Sequence, residues 1–133
     1  MKDICRIDGR SFDVLVTGIN EKWTILYGEN TGRVLAEGAP MFLEPIGTFF
    51  SHEVTFERKK NAIREYDILY ELLYQPRDSG IDVQLAHNQT TIDYKAYVSQ
   101  GGRPLKRVNP VSGEKVWGTF TVTFTPMEAQ IKP

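Results

Sequence analysis

An α+β fold is predicted, predominantly antiparallel β in a sandwich or partial barrel, with one flanking α-helix at about residues 62–74. Three observations carry this. Apolar and polar residues alternate along most of the 133-residue chain, which is the period of a half-buried strand. One segment alone departs from that period to steps of three and four, and clusters of Gly, Pro and Asn separate the periodic stretches.

The elements follow in order. Phe12, Val14 and Val16 alternate with Asp13, Leu15 and Thr17, and then Trp23, Ile25 and Tyr27 alternate with Thr24 and Leu26. These are two strands, with Asn20-Glu21-Lys22 as the tight turn between them. A longer strand runs from Phe49 to Arg58, with Phe50, His52, Val54 and Phe56 on one face and Ser51, Glu53, Thr55 and Glu57 on the other. Between these blocks lies 28–47, punctuated by Gly28, Gly32, Gly38, Pro40, Pro45 and Gly47. It reads as a long loop or arm with a short strand at Arg33 to Ala36. Loops longer than about 12 to 15 residues are uncommon in compact domains. This one also carries Met41, Phe42, Leu43 and Ile46, which either fold back over the domain's own core or order against a neighbouring subunit. These four are the candidate inter-subunit contacts.

Ala62, Tyr66, Leu69 and Leu73 recur at helical spacing, with Ile63, Tyr70 and Leu72 widening the stripe and Arg64, Glu65, Asp67 and Glu71 on the wetter side. Asn61 is placed to cap the helix and Gln75-Pro76 to end it. So short a helix is marginal alone and requires a sheet to dock on. Ile81 to His87 and Thr91 to Ser99 then form a hairpin around Asn88, with Ile92, Tyr94, Ala96 and Val98 inward. Arg103 to Val108 is a shorter strand, Asn109 to Gly113 a turn, and Val116 to Thr125 the last long strand. There Phe120, Val122 and Phe124 face the core against a row of threonines.

At this length the chain is expected to be a single domain, 1–133, large enough to bury roughly two-thirds of its unfolded surface without a metal or disulfide staple. Cys5 is the only cysteine, so no internal disulfide and no cysteine-rich zinc cluster is possible. The run Met1 to Arg6 lacks the apolar core of a signal peptide, and no stretch approaches the ~20 apolar residues of a membrane span. A soluble, intracellular protein with no membrane partner is expected. Net charge is −1, so no global field recruits polyanions and specific nucleic-acid binding is not expected. The dense basic clusters, Arg58-Lys59-Lys60 and Arg103 to Arg107, read as solvated loop ends.

No reactive constellation is visible. His52 and His87 sit on separate strand patterns and read as structural residues, while Ser51 and His52 point to opposite faces and form no nucleophile–base pair. Neither phosphate-loop pattern occurs, so no cofactor is expected and the chain is read as non-enzymatic. Two other classes remain open. A single-stranded nucleic-acid-binding module would use Tyr97 and Arg103, and a host-surface-binding module of phage origin would use exposed aromatics such as Trp117.

The runs Gly47-Thr48-Phe49-Phe50-Ser51-His52-Glu53-Val54-Thr55-Phe56-Glu57-Arg58, Glu65 to Leu73, Thr91 to Val98 and Phe120 to Met127 resemble, in order and style, small structural proteins of phage and prophage tails from Gram-positive bacteria. The likeness covers about two-thirds of the chain, chiefly after residue 47, and does not choose among tail-tube, tail-terminator and distal-tail proteins. It implies a ring-forming homo-oligomer, hexameric by family analogy, that contacts other tail proteins within a virion tail assembled in the host cytoplasm. It carries over no catalytic residues. The 28–47 segment has no clear match in that family.

Overall fold

The computed structural model describes residues 5–35 and 37–133. Met1 to Ile4 and Ala36 lie outside the described residues, and with them part of the N-terminal reading and the end of the strand expected at 33–36. Among the described residues ten strands and one helix follow in the order β1 (Cys5–Ile7), β2 (Leu15–Tyr27), β3 (Gly32–Arg33), β4 (Met41–Phe42), β5 (Pro45–Glu57), α1 (Ile63–Leu73), β6 (Ile81–His87), β7 (Thr90–Tyr97), β8 (Leu105–Val108), β9 (Lys115–Trp117) and β10 (Phe120–Pro126). Six of the strands form one sheet, β1-β6-β7-β10-β5-β2, and every neighbouring pair in it is antiparallel. The α+β class, mostly antiparallel with one helix, is as the sequence predicts.

The sheet is really two halves hinged on β10. Phe120 to Phe124 pair with β5, whereas only Thr125 and Pro126 pair with β7. The halves part before Phe124, and α1 contributes Tyr66, Leu69 and Leu73 to the core that both line. Period-two alternation supplies the rest: Val54 and Phe56 from β5, Ile81, Val83 and Leu85 from β6, Ala96 from β7, and Phe120, Val122 and Phe124 from β10.

Several sequence expectations are corrected. No hairpin occurs at Asn20-Glu21-Lys22; these residues lie mid-strand in β2, opposite Glu53, His52 and Ser51. The register shift between Val16 and Gly18 is a bulge that changes which residues face inward, so one strand looks like two in sequence. The strand expected to begin at Phe49 begins at Pro45. The last strand is not continuous from Val116. It breaks at Gly118, whose amide bonds to the Pro104 carbonyl at 2.8 Å and whose missing Cβ would lie 2.9 Å from Pro104 Cγ. There the chain leaves β8 for β5. Asn61 does not cap α1: Ala62 is the N-cap residue and no side chain bonds there, because the Ala62 amide closes a turn onto Lys59 O at 3.2 Å.

The helix is tied down by its flanks as well as its stripe. Tyr66 donates its hydroxyl proton to the Gly118 carbonyl. Arg103 extends from the loop before β8 to Asp67, 2.9 Å away, with its guanidinium 4.1 Å from the Tyr70 ring centroid and 4.4 Å from that of Trp117. Glu65 pairs with Arg10. Glu65 and Asp67, two of the three acids expected on the wetter side of the helix, are therefore anchoring points.

Beyond the core, β2 and β5 continue as a ribbon, capped by the small β3–β4 hairpin that 28–47 forms. The C-terminal tail runs along it: the Thr48 amide donates to Ile131 O at 2.8 Å, and the Gln130 side chain accepts from Phe50 N and donates to Phe50 O at 3.0 and 2.8 Å. Gly47 makes this approach possible, since a Cβ there would lie 2.6 Å from Ala129 Cβ and 2.8 Å from Ile131 O. Gly47→Ala is expected to detach the tail. Faster amide exchange at 128–133 with β10 unchanged would show it, and exchange as in the parent chain would contradict it.

Candidate functional site

The inward face of the β2–β5 pair does not end where the core ends. Past the bulge, alternation places Ile19, Glu21, Trp23 and Ile25 on one face, opposite Val54, His52, Phe50 and Thr48. Ile19 packs against the core, but Trp23 is 63% exposed and Ile25 37%. The same apolar phase continues outward, with Ile25 beside Leu43 and the tail residues Ile131 and Pro133. Met41, Phe42, Leu43 and Ile46 lie at the far end of this ribbon at 45%, 62%, 57% and 50% exposure. The structure leaves all four candidate contact residues outside the buried core, Met41 and Phe42 on β4, Leu43 after it and Ile46 on β5. Tyr27 lies beside Ile25 and Leu43, and β2 is an edge strand of the sheet.

At the base of the ribbon sits a polar node that strand-by-strand reading misses. His52 is wholly buried. Its Nε2 lies 3.0 Å from Glu21 Oε2 and its Nδ1 2.8 Å from the Tyr94 hydroxyl. His87, from the other half of the sheet, places Nδ1 2.6 Å from the same Glu21 oxygen. Tyr94 also reaches the Phe124 carbonyl at 3.2 Å, and Phe50 packs edge-on against the His87 ring at 5.1 Å. Every buried side-chain polar atom among the described residues has a partner. One carboxylate thereby links β2 to β5 within its own half-sheet and to β6 across the gap.

Burial of Glu21 by itself raises its pKa. The hydrogen bonds from His87 and His52, with the positive charge of those rings, outweigh this and hold the carboxyl below its ordinary value of 4.5. Burial, and the Glu21 charge after it, push the Tyr94 phenol upward, so it stays protonated. Among the described residues no group of three His, Cys, Asp or Glu is spaced to hold a metal ion. The node has acid, base and hydroxyl groups, yet they satisfy one another. A closed arrangement of this kind rigidifies and specifies the packing around it.

The residues of the rival readings are placed differently. Tyr97 is exposed at 47%, but the Arg103 side chain is only 14% exposed and paired with Asp67. Trp117 is partly buried against the core beneath Arg103. Neither forms a stacking platform. The Cys5 thiol is pushed up to about 12 by burial and is a poor nucleophile at neutral pH. No helix among the described residues is long and apolar enough to cross a membrane.

The ribbon surface is legible in the apolar content of 28–47, while the node is not, because its carboxylate lies in residues that read as a turn. No protein-family model matches this chain, and no curated protein matches it in sequence.

Proposed function

We propose that the chain is a non-enzymatic structural subunit of a phage or prophage tail, self-assembling into rings and contacting neighbouring tail proteins. The observation that carries the assembly role is the exposed apolar content of the ribbon, Trp23, Met41, Phe42, Leu43 and Ile46, on and beyond a 13-residue edge strand. Exposed contiguous apolar surface marks an interaction site, and a long open edge offers unpaired amides and carbonyls to another chain. The tail assignment rests on the resemblance of 47–58, 65–73, 91–98 and 120–127 to that family, as do a hexameric ring and a virion location. The node fits the same reading, since a projecting arm serves assembly only if its base holds a fixed angle.

The reading is tested by sedimentation velocity across a wide concentration range, comparing the parent chain with Phe42→Ser/Ile46→Ser. Both positions are at least half exposed, so the fold should be unaffected. The parent is expected to show concentration-dependent oligomers and the double variant to remain monomeric. A parent chain that stays monomeric at every concentration, alone and mixed with the products of neighbouring genes, would sink the proposal.

A further inference from the structure

The ribbon's mate is visible in the charge of the same molecule. The 28–47 segment carries Glu29, Glu37 and Glu44 against Arg33, with Lys132 of the tail beside Leu43 and Pro45, and none of these acids joins an ion pair among the described residues. β5 runs from this acidic, apolar tip at Pro45 to Glu57, about 40 Å away at the rise of an extended strand. At that far end the two basic clusters of the sequence converge. Arg58 and Arg107 line one cavity of about 380 Å³ with Val108, Pro110 and Glu114. Lys60 follows on the chain, and Lys106 and Lys115 lie on the adjoining β8–β9 ribbon. Lys59 and Arg103 are taken up by Asp13 and Asp67. Arg58, Lys60, Lys106, Arg107 and Lys115 form no ion pair among the described residues, with Glu57 and Glu114 the acids nearby in sequence.

We infer that the acidic ribbon tip of one copy docks on the basic end of the next, around Arg58, Arg107 and Lys115, so that copies join head to tail. Opposite charge at opposite ends makes the contact heterologous, the type that closes into rings or runs on as a filament. It also penalises tip-to-tip and end-to-end pairing by like-charge repulsion. The inference rests on the assembly role proposed above and adds which surface receives the ribbon.

Charge exchange tests it. Glu29→Lys/Glu37→Lys reverses the tip and Arg107→Glu/Lys115→Glu reverses the receiving end; all four positions are exposed. Each variant alone is expected to associate about tenfold more weakly than the parent or worse, and an equimolar mixture to recover the parent mass in sedimentation. Parent association should weaken in molar salt, where screening acts within about 3 Å. If Phe42→Ser/Ile46→Ser abolishes association while Arg107→Glu/Lys115→Glu associates like the parent, the receiving surface is elsewhere and only this inference fails. A mixture that does not recover overturns it as well, and a parent that never associates overturns both readings. Salt-sensitive binding of a labelled single-stranded oligonucleotide that Arg107→Glu/Lys115→Glu removes while leaving self-association intact overturns this inference alone, because the basic end would then serve a polyanion.

Discussion

Leu69→Ala is expected to lower the free energy of unfolding by about 2–5 kcal/mol, the range for deleting a buried leucine side chain and leaving its cavity. Leu69 is wholly buried and stands in the middle of the α1 stripe between Tyr66 and Leu73. Little relaxation is available around it. Its neighbours on the helix are pinned on one side by Tyr66 to Gly118 and on the other by Arg103 to Asp67 and the Tyr70 ring, so the helix cannot slide inward to fill the void. The measurement is urea unfolding followed by circular dichroism, with a lower midpoint and an unchanged slope. The expected contrast is Leu72→Ala, only partly buried, with a smaller loss. Equal, small effects at both positions would mean that α1 does not clamp the core and would return it to the surfaces open for assembly.

Glu21→Ala is the second large effect. The substitution leaves His52, wholly buried, with no acceptor at Nε2, and frees His87 Nδ1 as well. Leaving a buried donor unpaired costs about 1–3 kcal/mol. Its pH dependence follows from the carboxyl being held below 4.5 by the two histidines despite burial. A depressed folded pKa means that the carboxylate's contribution is fully present above 4.5 and is lost as pH falls through the lower, folded value. The stability gap between parent and variant attributable to the carboxylate should therefore hold near neutral pH and narrow below 4.5. Urea midpoints at several pH values measure it, and amide exchange in β2 beyond Glu21 reports whether the ribbon loosens at its base. A gap that widens on acidification would assign the node the opposite sign and undo this account.

The sequence was most readable where one phase of alternation persisted. In β5 the run Phe50, His52, Val54, Phe56 needs no partner to reveal its inner face, and the same holds for β6 and for Phe120 to Phe124. It failed where the phase broke for a local reason. Entering β2, the inward residues change from Val14 and Val16 to Ile19 and Glu21 across the shift at Gly18. A bulge and a turn leave the same gap in the pattern, and Asn20-Glu21-Lys22 has turn-like composition. That one substitution of turn for bulge hid the node, since both histidines lie in core-facing phases and lacked only a carboxylate. Similarly, Val116 to Thr125 looks continuous because strand propensity does not register that Gly118 passes against Pro104.

By itself, then, the sequence determined the class of the fold, the amphipathic helix, the inner faces of the long strands, and the presence of an apolar segment at 28–47. These depend on periodicity and composition, which are local properties. Tertiary structure alone decided that β2 is one strand at the edge of the sheet, that Glu21 joins His52 and His87 across two half-sheets, and that Arg103 is enclosed by Tyr70, Trp117 and Asp67. It also decided that Met41, Phe42, Leu43 and Ile46 remain uncovered while the two basic clusters meet at the opposite end of β5. Each of these depends on which distant segments pair, and pairing is chosen by the summed burial and hydrogen bonding of the whole chain rather than by any one stretch of it.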